Sequence, residues 1–415
     1  MNLQLESQTS NSSQRILRWQ HWNQRAEDLE FARKALTEFQ LNSLSGKASA
    51  LGQCRAIVLG LGAVGGVAFE HLVRGGVGHV DGVDPDRYGR ESFLTQSSMN
   101  HAGQAKAMVL GAQASKVNPA VQVRTAVGQA QDLRLRDIRR ADVILVAGDN
   151  LELPLWVGRT AMVLKKPMVQ VAVHRETDLV IVRSYDLRNS KNTCPRCSIG
   201  AKEIQQQKSR FGCDPSTRVS TSTASTRTLS TVCAAAGSIG ANEAIKFLTG
   251  NDEHALRGEE YTLSMLTYMS MRTTLPRRQN CDASHEETLL IDVSTPASAT
   301  SLRTLAEMIG CDHRETLLQV RSEMPWVSFT ICASCERVQP VRKFARFGRK
   351  VGNCDCGHFL TTVPQGMKSI IPGDDLRECW ELPLNEIGLE DGEAVAMLDN
   401  EQWVYFFTPN DETEN

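Results

Sequence analysis

The chain has 415 residues, of which 41% are hydrophobic and 23% charged, with a net charge of −2. That length exceeds a single compact core, so two or more domains are expected. The near-neutral balance excludes a whole-molecule pull toward nucleic acid or anionic lipid, and no apolar run reaches the ~18 residues of a membrane helix.

The opening MNLQLESQTSNSSQ is polar and lacks the apolar stretch of a secretory signal, which implies a cytoplasmic setting. There the 12 cysteines read as metal ligands, core residues or nucleophiles rather than as disulfides. Residues 1–50 read as a helical lead-in, partly disordered, with apolar residues from Ile16 to Phe39 at helical spacing. Arg55-Ala-Ile-Val-Leu-Gly60 is a buried-type strand running into a glycine-rich turn and a helix through Leu72. Further strands are expected at His79–Asp84, Val121–Val127 and Asp142–Val146, with a helix over Gln104–Val117. Met168–Val173 and Leu179–Val182 continue the sheet. Strands alternating with helices predict an α/β domain with a parallel, doubly wound, Rossmann-like sheet.

Residues 185–228 show little periodicity and are rich in Ser, Thr, Lys and Gln, as a long functional or disordered loop would be. A helix with small residues follows over Ala234–Leu248, then strands at Tyr261–Leu266 and Met269–Thr274. From 288 the character changes to a second unit, 288–415, of short helices and β structure around a cysteine-rich segment, 332–358.

Gly60-Leu-Gly62-Ala-Val-Gly65 follows a strand and opens a helix, the arrangement in which phosphate approaches backbone amides at the positive helix end. By itself the motif suits a dinucleotide-binding dehydrogenase equally well. Asp84 ends the second strand, where a carboxylate accepts from ribose hydroxyls or caps a turn. Cys332-Ala-Ser-Cys335 and Cys354-Asp-Cys356 have the spacing of a zinc ribbon, with His358 in reserve. Between them, Val341 to Lys350 interleaves basic residues with Phe344 and Phe347. That segment suits nucleic acid, an acidic partner, or simply a solvated face of the ribbon.

The ordered set Asp84-Pro-Asp86-Arg87, Ser92-Phe-Leu-Thr-Gln96, Gly103-Gln-Ala-Lys106, Asn118-Pro119 and Gly148-Asp149-Asn150 resembles the ThiF/MoeB/ubiquitin-activating adenylyltransferases. Cys194-Pro-Arg-Cys197 and the helix around Gly237–Lys246 extend the resemblance over about residues 50–285. It implies a ThiF-type adenylation domain over 51–287 with 185–228 as its crossover loop. It also implies ATP bound by Gly60, Gly62, Gly65, Asp84, Asp86, Arg87, Lys106, Asp149 and Asn150. Lys106 would neutralise phosphates, Asp149 would hold Mg2+, and Asp84 would bind ribose. Such chemistry needs charge neutralisation and positioning more than covalent help.

The chain departs from the pattern where the family has Ser-Asn-Leu-x-Arg-Gln: the asparagine and the phosphate-facing arginine are missing. Arg87 or Arg90 is a candidate substitute, and Arg15 or Arg18 a candidate for the N-terminal arginine that family dimers donate. The family's second crossover pair falls near Cys281 and His285, so a zinc site of Cys194, Cys197, Cys281 and His285 is expected, with Cys311 or His313 as alternatives to the histidine. Cys213, in the crossover segment beside Arg210, is the candidate thioester nucleophile, whereas Cys233 suits packed core and Cys54 and Cys379 carry no chemical context.

The expected function is ATP-dependent adenylation of the C-terminal glycine of a small ubiquitin-like protein. Thioester transfer to a conjugating enzyme would follow, in a homodimer holding two Zn2+ per chain. The alternatives are a sulfur-carrier or tRNA-directed relative, or a non-catalytic partner-binding member.

Overall fold

The computed structural model describes residues 17–22, 26–39, 48–148, 151–174, 178–199, 229–281, 283, 285–311, 318–399 and 401–409. They fall into two compact units, Leu17–Thr288 and Leu289 onward.

The first unit is built on nine strands: β1 (Gln20–Trp22), β2 (Arg55–Leu59), β3 (His79–Asp84), β4 (Gln122–Val127), β5 (Val143–Val146), β6 (Pro167–Val173), β7 (Leu179–Asp186), β8 (Glu259–Ser264) and β9 (Ser270–Thr274). Its helices are α1 (Ala26–Phe39), α2 (Gly65–Arg74), α3 (Lys106–Val117), α4 (Leu135–Arg139), α5 (Glu152–Val163), α6 (Pro195–Ser198) and α7 (Ser230–Leu248). Among the described residues the sheet order is β1-β4-β3-β2-β5-β6-β7-β8-β9. The centre, β4-β3-β2-β5-β6, is parallel. Its innermost strands β2 and β5 are apolar runs because both faces are covered: Ile57, Val58, Leu59, Val143, Ile144 and Leu145 are fully buried.

Two expectations are corrected. The strands after Val173 extend the sheet antiparallel, from β6 through β9. The return from Val173 to Leu179 is far shorter than the dozen or so residues that a parallel crossover needs. In the lead-in, the α-helix among the described residues is α1, and Gln20–Trp22 is instead a strand antiparallel to β4. Trp22 there donates its indole N–H to Thr125 Oγ1 at 3.1 Å, and Arg124 stacks over Trp19 at 4.6 Å. Arg124 is also held bidentately by Asp81 on β3, at 2.8 and 2.7 Å, with both groups buried. This cross-strand pair satisfies two charges that burial alone would penalise.

The second unit comprises β10 (Thr288–Asp292), α8 (Leu302–Met308), β11 (Val320–Ser322), β12 (Trp326–Ile331), β13 (Val338–Phe344), β14 (Lys350–Asn353), β15 (Phe359–Thr361), β16 (Met367–Lys368), α9 (Gly373–Cys379), β17 (Ala394–Asp399) and β18 (Gln402–Phe407). Its sheets run β10-β18-β17-β11, β13-β12-β16 and β14-β15. Trp326 and Phe344 meet edge to face at 5.1 Å in its core, and the Trp326 indole donates to Asp375 at 2.8 Å.

Candidate nucleotide site and metal centres

The parallel strands present their carboxyl ends to one edge, where open α/β sheets bind ligands. Gly60 leaves β2 with φ +93°, and a Cβ there would lie 2.8 Å from the carbonyl oxygen of Ala147. At Gly65 a Cβ would fall 1.8 Å from the Gly60 carbonyl oxygen, so the turn closes only with glycine at both ends. Gly62 faces open space: the nearest atom a Cβ would meet is Gln96 Oε1, at 3.9 Å. The turn feeds α2, whose Gly66 and Ala68 amides already donate to the Gly62 and Val64 carbonyls, at 2.8 and 3.1 Å.

Asp84, at the end of β3, is 4% exposed. Its Oδ2 accepts from the Leu61 amide at 2.6 Å and its Oδ1 from the Asp86 amide at 2.8 Å. Asp84 therefore ties the glycine turn to the neighbouring strand end, while burial pushes its carboxyl above the usual range. Asp86 is the open carboxylate, with its side chain 63% exposed. Lys106, at the start of α3, reaches Asp86 Oδ2 at 2.9 Å, and its own amide donates to the Asp86 carbonyl at 3.0 Å. Two carboxylates and an ammonium thus gather beside the turn. Arg87 donates to the Gly103 carbonyl at 2.8 Å, and Arg90 and Arg18 are exposed. Asn118 is spent on structure, donating to the Val73 carbonyl and accepting from the Ala120 amide. Asp149, Asn150, Cys213, Arg15 and His313 lie outside the described residues.

Sequence reasoning gave no role to Gln96. It stands in the turn that follows the short 3-10 segment Arg90–Leu94, at the place where the family pattern has its arginine. Its amide N–H donates to the Ser92 carbonyl at 3.0 Å. Its side-chain Oε1 is buried and has no hydrogen-bond partner among the described residues. The departure from the family pattern is the one signal that points to it.

Cys194, Cys197, Cys281 and His285 converge, with their ligand atoms all within 4.8 Å of one another. The Cys194 sulfur lies 3.7 Å from that of Cys197 and 3.8 Å from that of Cys281, and Cys197 Sγ lies 3.3 Å from His285 Nε2. A tetrahedral zinc with Zn–S of about 2.3 Å sets its sulfurs about 3.8 Å apart, so the donor set fits that ion. The Ser190 carbonyl, also absent from the sequence reading, lies 2.7 Å from His285 Nδ1. That contact places the ring proton on Nδ1 and leaves the Nε2 lone pair facing the thiols. Burial lowers the His285 pKa, favouring the neutral ring a metal requires.

Cys332, Cys335, Cys354 and Cys356 form a second such group, also within 4.8 Å. Cys332 and Cys356 sulfurs are 3.6 Å apart, and those of Cys335 and Cys354 3.5 Å. Each pair sits in a hairpin knuckle, closed by Cys332 N–H to the Arg337 carbonyl at 3.0 Å and Cys354 N–H to the His358 carbonyl at 2.8 Å. His358 Nδ1 lies 3.7 Å from Cys356 Sγ.

The other cysteines stand apart. Cys233 is buried in α7 and Cys379 in α9, and burial pushes their thiols up, Cys379 to about 12. Cys54 faces the Leu248 carbonyl at 3.6 Å. Cys311 belongs to the second unit, facing Asp399 at 3.2 Å. In the basic-aromatic segment Phe344 is fully buried and Arg342 is paired with Asp375 and Glu378, which removes both from a stacking platform.

The profile of the ThiF family matches residues 35–284. The chain belongs to the ThiF family. It is 25% identical over 241 residues to a sulfur carrier protein adenylyltransferase of Thermus thermophilus, covering 57% of this chain and 84% of that protein. It is 22% identical over 244 residues to the adenylyltransferase and sulfurtransferase MOCS3 of Drosophila willistoni; the match covers 57% of this chain and spans 50% of that relative's length. The crystal structure of E. coli MccB with ATP aligns with a TM-score of 0.47 at 18% identity, over 57% of this chain and 68% of that one. Among the described residues of this ThiF-family chain, no helix is long and apolar enough to cross a membrane.

Proposed function

We propose that the chain is an ATP-dependent adenylyltransferase acting on the C-terminal carboxylate of a small ubiquitin-like protein. The observation that carries the reading is the gathering of Asp84, Asp86 and Lys106 beside an open glycine turn in a ThiF-family sheet. Asp84 would hold the turn in shape, and Asp86 would take ribose hydroxyls. Lys106 would leave Asp86 to neutralise phosphate charge. Asp149 and Asn150 would hold Mg2+, which when bound supplies further neutralisation at the phosphates. The substrate carboxylate oxygen then attacks the α-phosphorus, the bond to the β-phosphate oxygen breaks, and pyrophosphate leaves. The two cysteine clusters would each hold a structural Zn2+.

Cys213 would next attack the acyl-adenylate, forming a thioester and releasing AMP, for transfer to a conjugating enzyme. The second unit would recruit partners, and the assembly would be a homodimer. A second reading is favoured by the Thermus relative, whose name states a sulfur carrier as substrate. In that case the adenylate is converted to a thiocarboxylate instead. The tRNA-directed variant keeps only Phe347 of the two aromatic residues that suggest it, since Phe344 is in the core.

ATP–pyrophosphate exchange with candidate carrier proteins tests adenylation, with Asp149→Ala as control. Exchange that requires both the carrier and Asp149 is the expected result; ATP binding without exchange for any carrier overturns it. Mass spectrometry of the carrier then separates the branches. A reductant-sensitive adduct lost in Cys213→Ala marks the thioester, and a thiocarboxylate formed with a sulfur donor marks the sulfur-carrier route.

A further inference from the structure

The second unit carries a surface for which adenylation has no use. Arg346-Phe-Gly-Arg349 is a tight turn: the Arg349 amide donates to the Arg346 carbonyl at 3.3 Å, and Gly348 stands at φ +73°, where glycine is favoured. Thr362 fastens its base. The Thr362 hydroxyl donates to the Arg346 carbonyl and the Thr362 amide to the Arg349 carbonyl, both at 3.0 Å. The turn holds Phe347 out in solvent, 54% exposed. From it the hairpin β14–β15 runs on through the pairs Lys350–Thr361 and Asn353–Phe359. Phe359 is 66% exposed even with the Lys350 ammonium 3.7 Å from its ring centroid. It lies beyond the basic stretch that the sequence singles out, so only the strand pairing brings it to Lys350. Two wet aromatic rings thus share one hairpin with Arg346, Arg349 and Lys350, and no acidic residue occurs from Ala345 to Asn353.

We propose that this hairpin binds single-stranded nucleic acid, with bases stacked on Phe347 and Phe359 and phosphates held by Lys350 and the flanking arginines. An exposed aromatic face stacks on any unpaired base, and cations beside it track the backbone. Bases locked in a duplex cannot reach the rings. An acidic peptide offers carboxylates to the cations but nothing planar to the rings. The whole chain has a net charge of −2, so the attraction is local to the hairpin and weakens as salt rises. The site is independent of adenylation and requires only a folded ribbon.

The test is fluorescence anisotropy of a short labelled oligouridylate and its deoxy counterpart, titrated with the full-length, zinc-loaded chain. Binding is expected to fall with salt and to be far weaker for a duplex of the same length, and the preference between the two oligomers identifies RNA or DNA as the ligand. Phe347→Ala and Phe359→Ala should each weaken binding about 5- to 150-fold, the size of one stacked base, whereas Phe359→Trp should retain it. Lys350→Gln should reduce the slope of log affinity against log salt by about 0.7, the share of one phosphate contact on a single strand. No binding of either oligomer at low salt overturns the proposal, and so does binding that both alanine variants leave unchanged. Duplex bound as tightly as single strand removes the stacking. Polyglutamate that competes as well as unlabelled oligouridylate assigns the surface to an acidic protein instead. Loss of zinc from either alanine variant would make the ring a prop of the ribbon and likewise overturn its assignment.

Discussion

The two cysteine clusters have nearly the same spacing between donors and are built in opposite ways. Cys194 meets Cys281 across 87 residues of chain and Cys197 meets His285 across 88, in a unit whose apolar core is built without them. Cys332, Cys335, Cys354 and Cys356 come from two adjacent knuckles, and the apolar cluster beside them is little more than Cys332, Cys354 and Leu360, with Cys335 and Val351 at its margin. Cys356 is exposed, whereas Cys194 and Cys197 are buried. The first site would decorate a fold that already exists, and the second would supply the energy that its own segment lacks.

Metal removal should break this comparison most visibly. With reductant and a strong chelator, the amides of Cys332 and Cys354 should lose hydrogen-exchange protection outright, because their partners lie within the knuckles. Amides of β2, β3 and β5 should keep theirs. Equal protection of the knuckles with and without chelator would show that the ribbon holds itself together.

Single-ligand variants sharpen the contrast with a smaller effect. Cys335→Ser and Cys194→Ser should each lower the metal content by one ion. Cys335→Ser should also expose residues 332–361 to proteolysis. Cys194→Ser should keep cooperative unfolding of the sheet unit at a lower melting temperature. The loss is about 2.7 kcal/mol when free metal stands a hundredfold above its Kd. Proteolysis of Cys194→Ser within the central strands would mean that the first site is as indispensable as the second.

How much of this was legible in the sequence follows the same division. The ribbon pairs Cys332 with Cys335 and Cys354 with Cys356 at short spacing, so a local pattern suffices to group them. Cys281 and His285 lie far from Cys194 in sequence, and only the family pattern suggested joining them; the Ser190 carbonyl that orients the histidine has no side-chain signature at all. The parallel half of the sheet was readable because strand and helix periods alternate. The antiparallel half was not, since the sense of β7 depends on the short return after Val173 rather than on composition. Gln96 and the structural duty of Asp84 depend on which backbone groups lie across the turn, and that is a property of the fold alone.

The smallest effect concerns an anchor in the sheet unit that needs no metal. Asp84 binds the Leu61 and Asp86 amides from a buried position, and burial raises its folded pKa above the ordinary 3.8. Between about pH 4 and that raised value the folded chain holds a proton that the unfolded chain has released, so the Asp84 contribution to stability declines as pH rises. Asp84→Asn cannot titrate. Its stability relative to the wild type should therefore climb with pH through that window, by less than about 1.4 kcal/mol per pH unit, and level off above it. Denaturant midpoints measured for both proteins from pH 4 upward read the difference directly. Parallel curves would mean that the two amide bonds offset the burial of charge in full, and that Asp84 holds the glycine turn as a carboxylate of ordinary acidity.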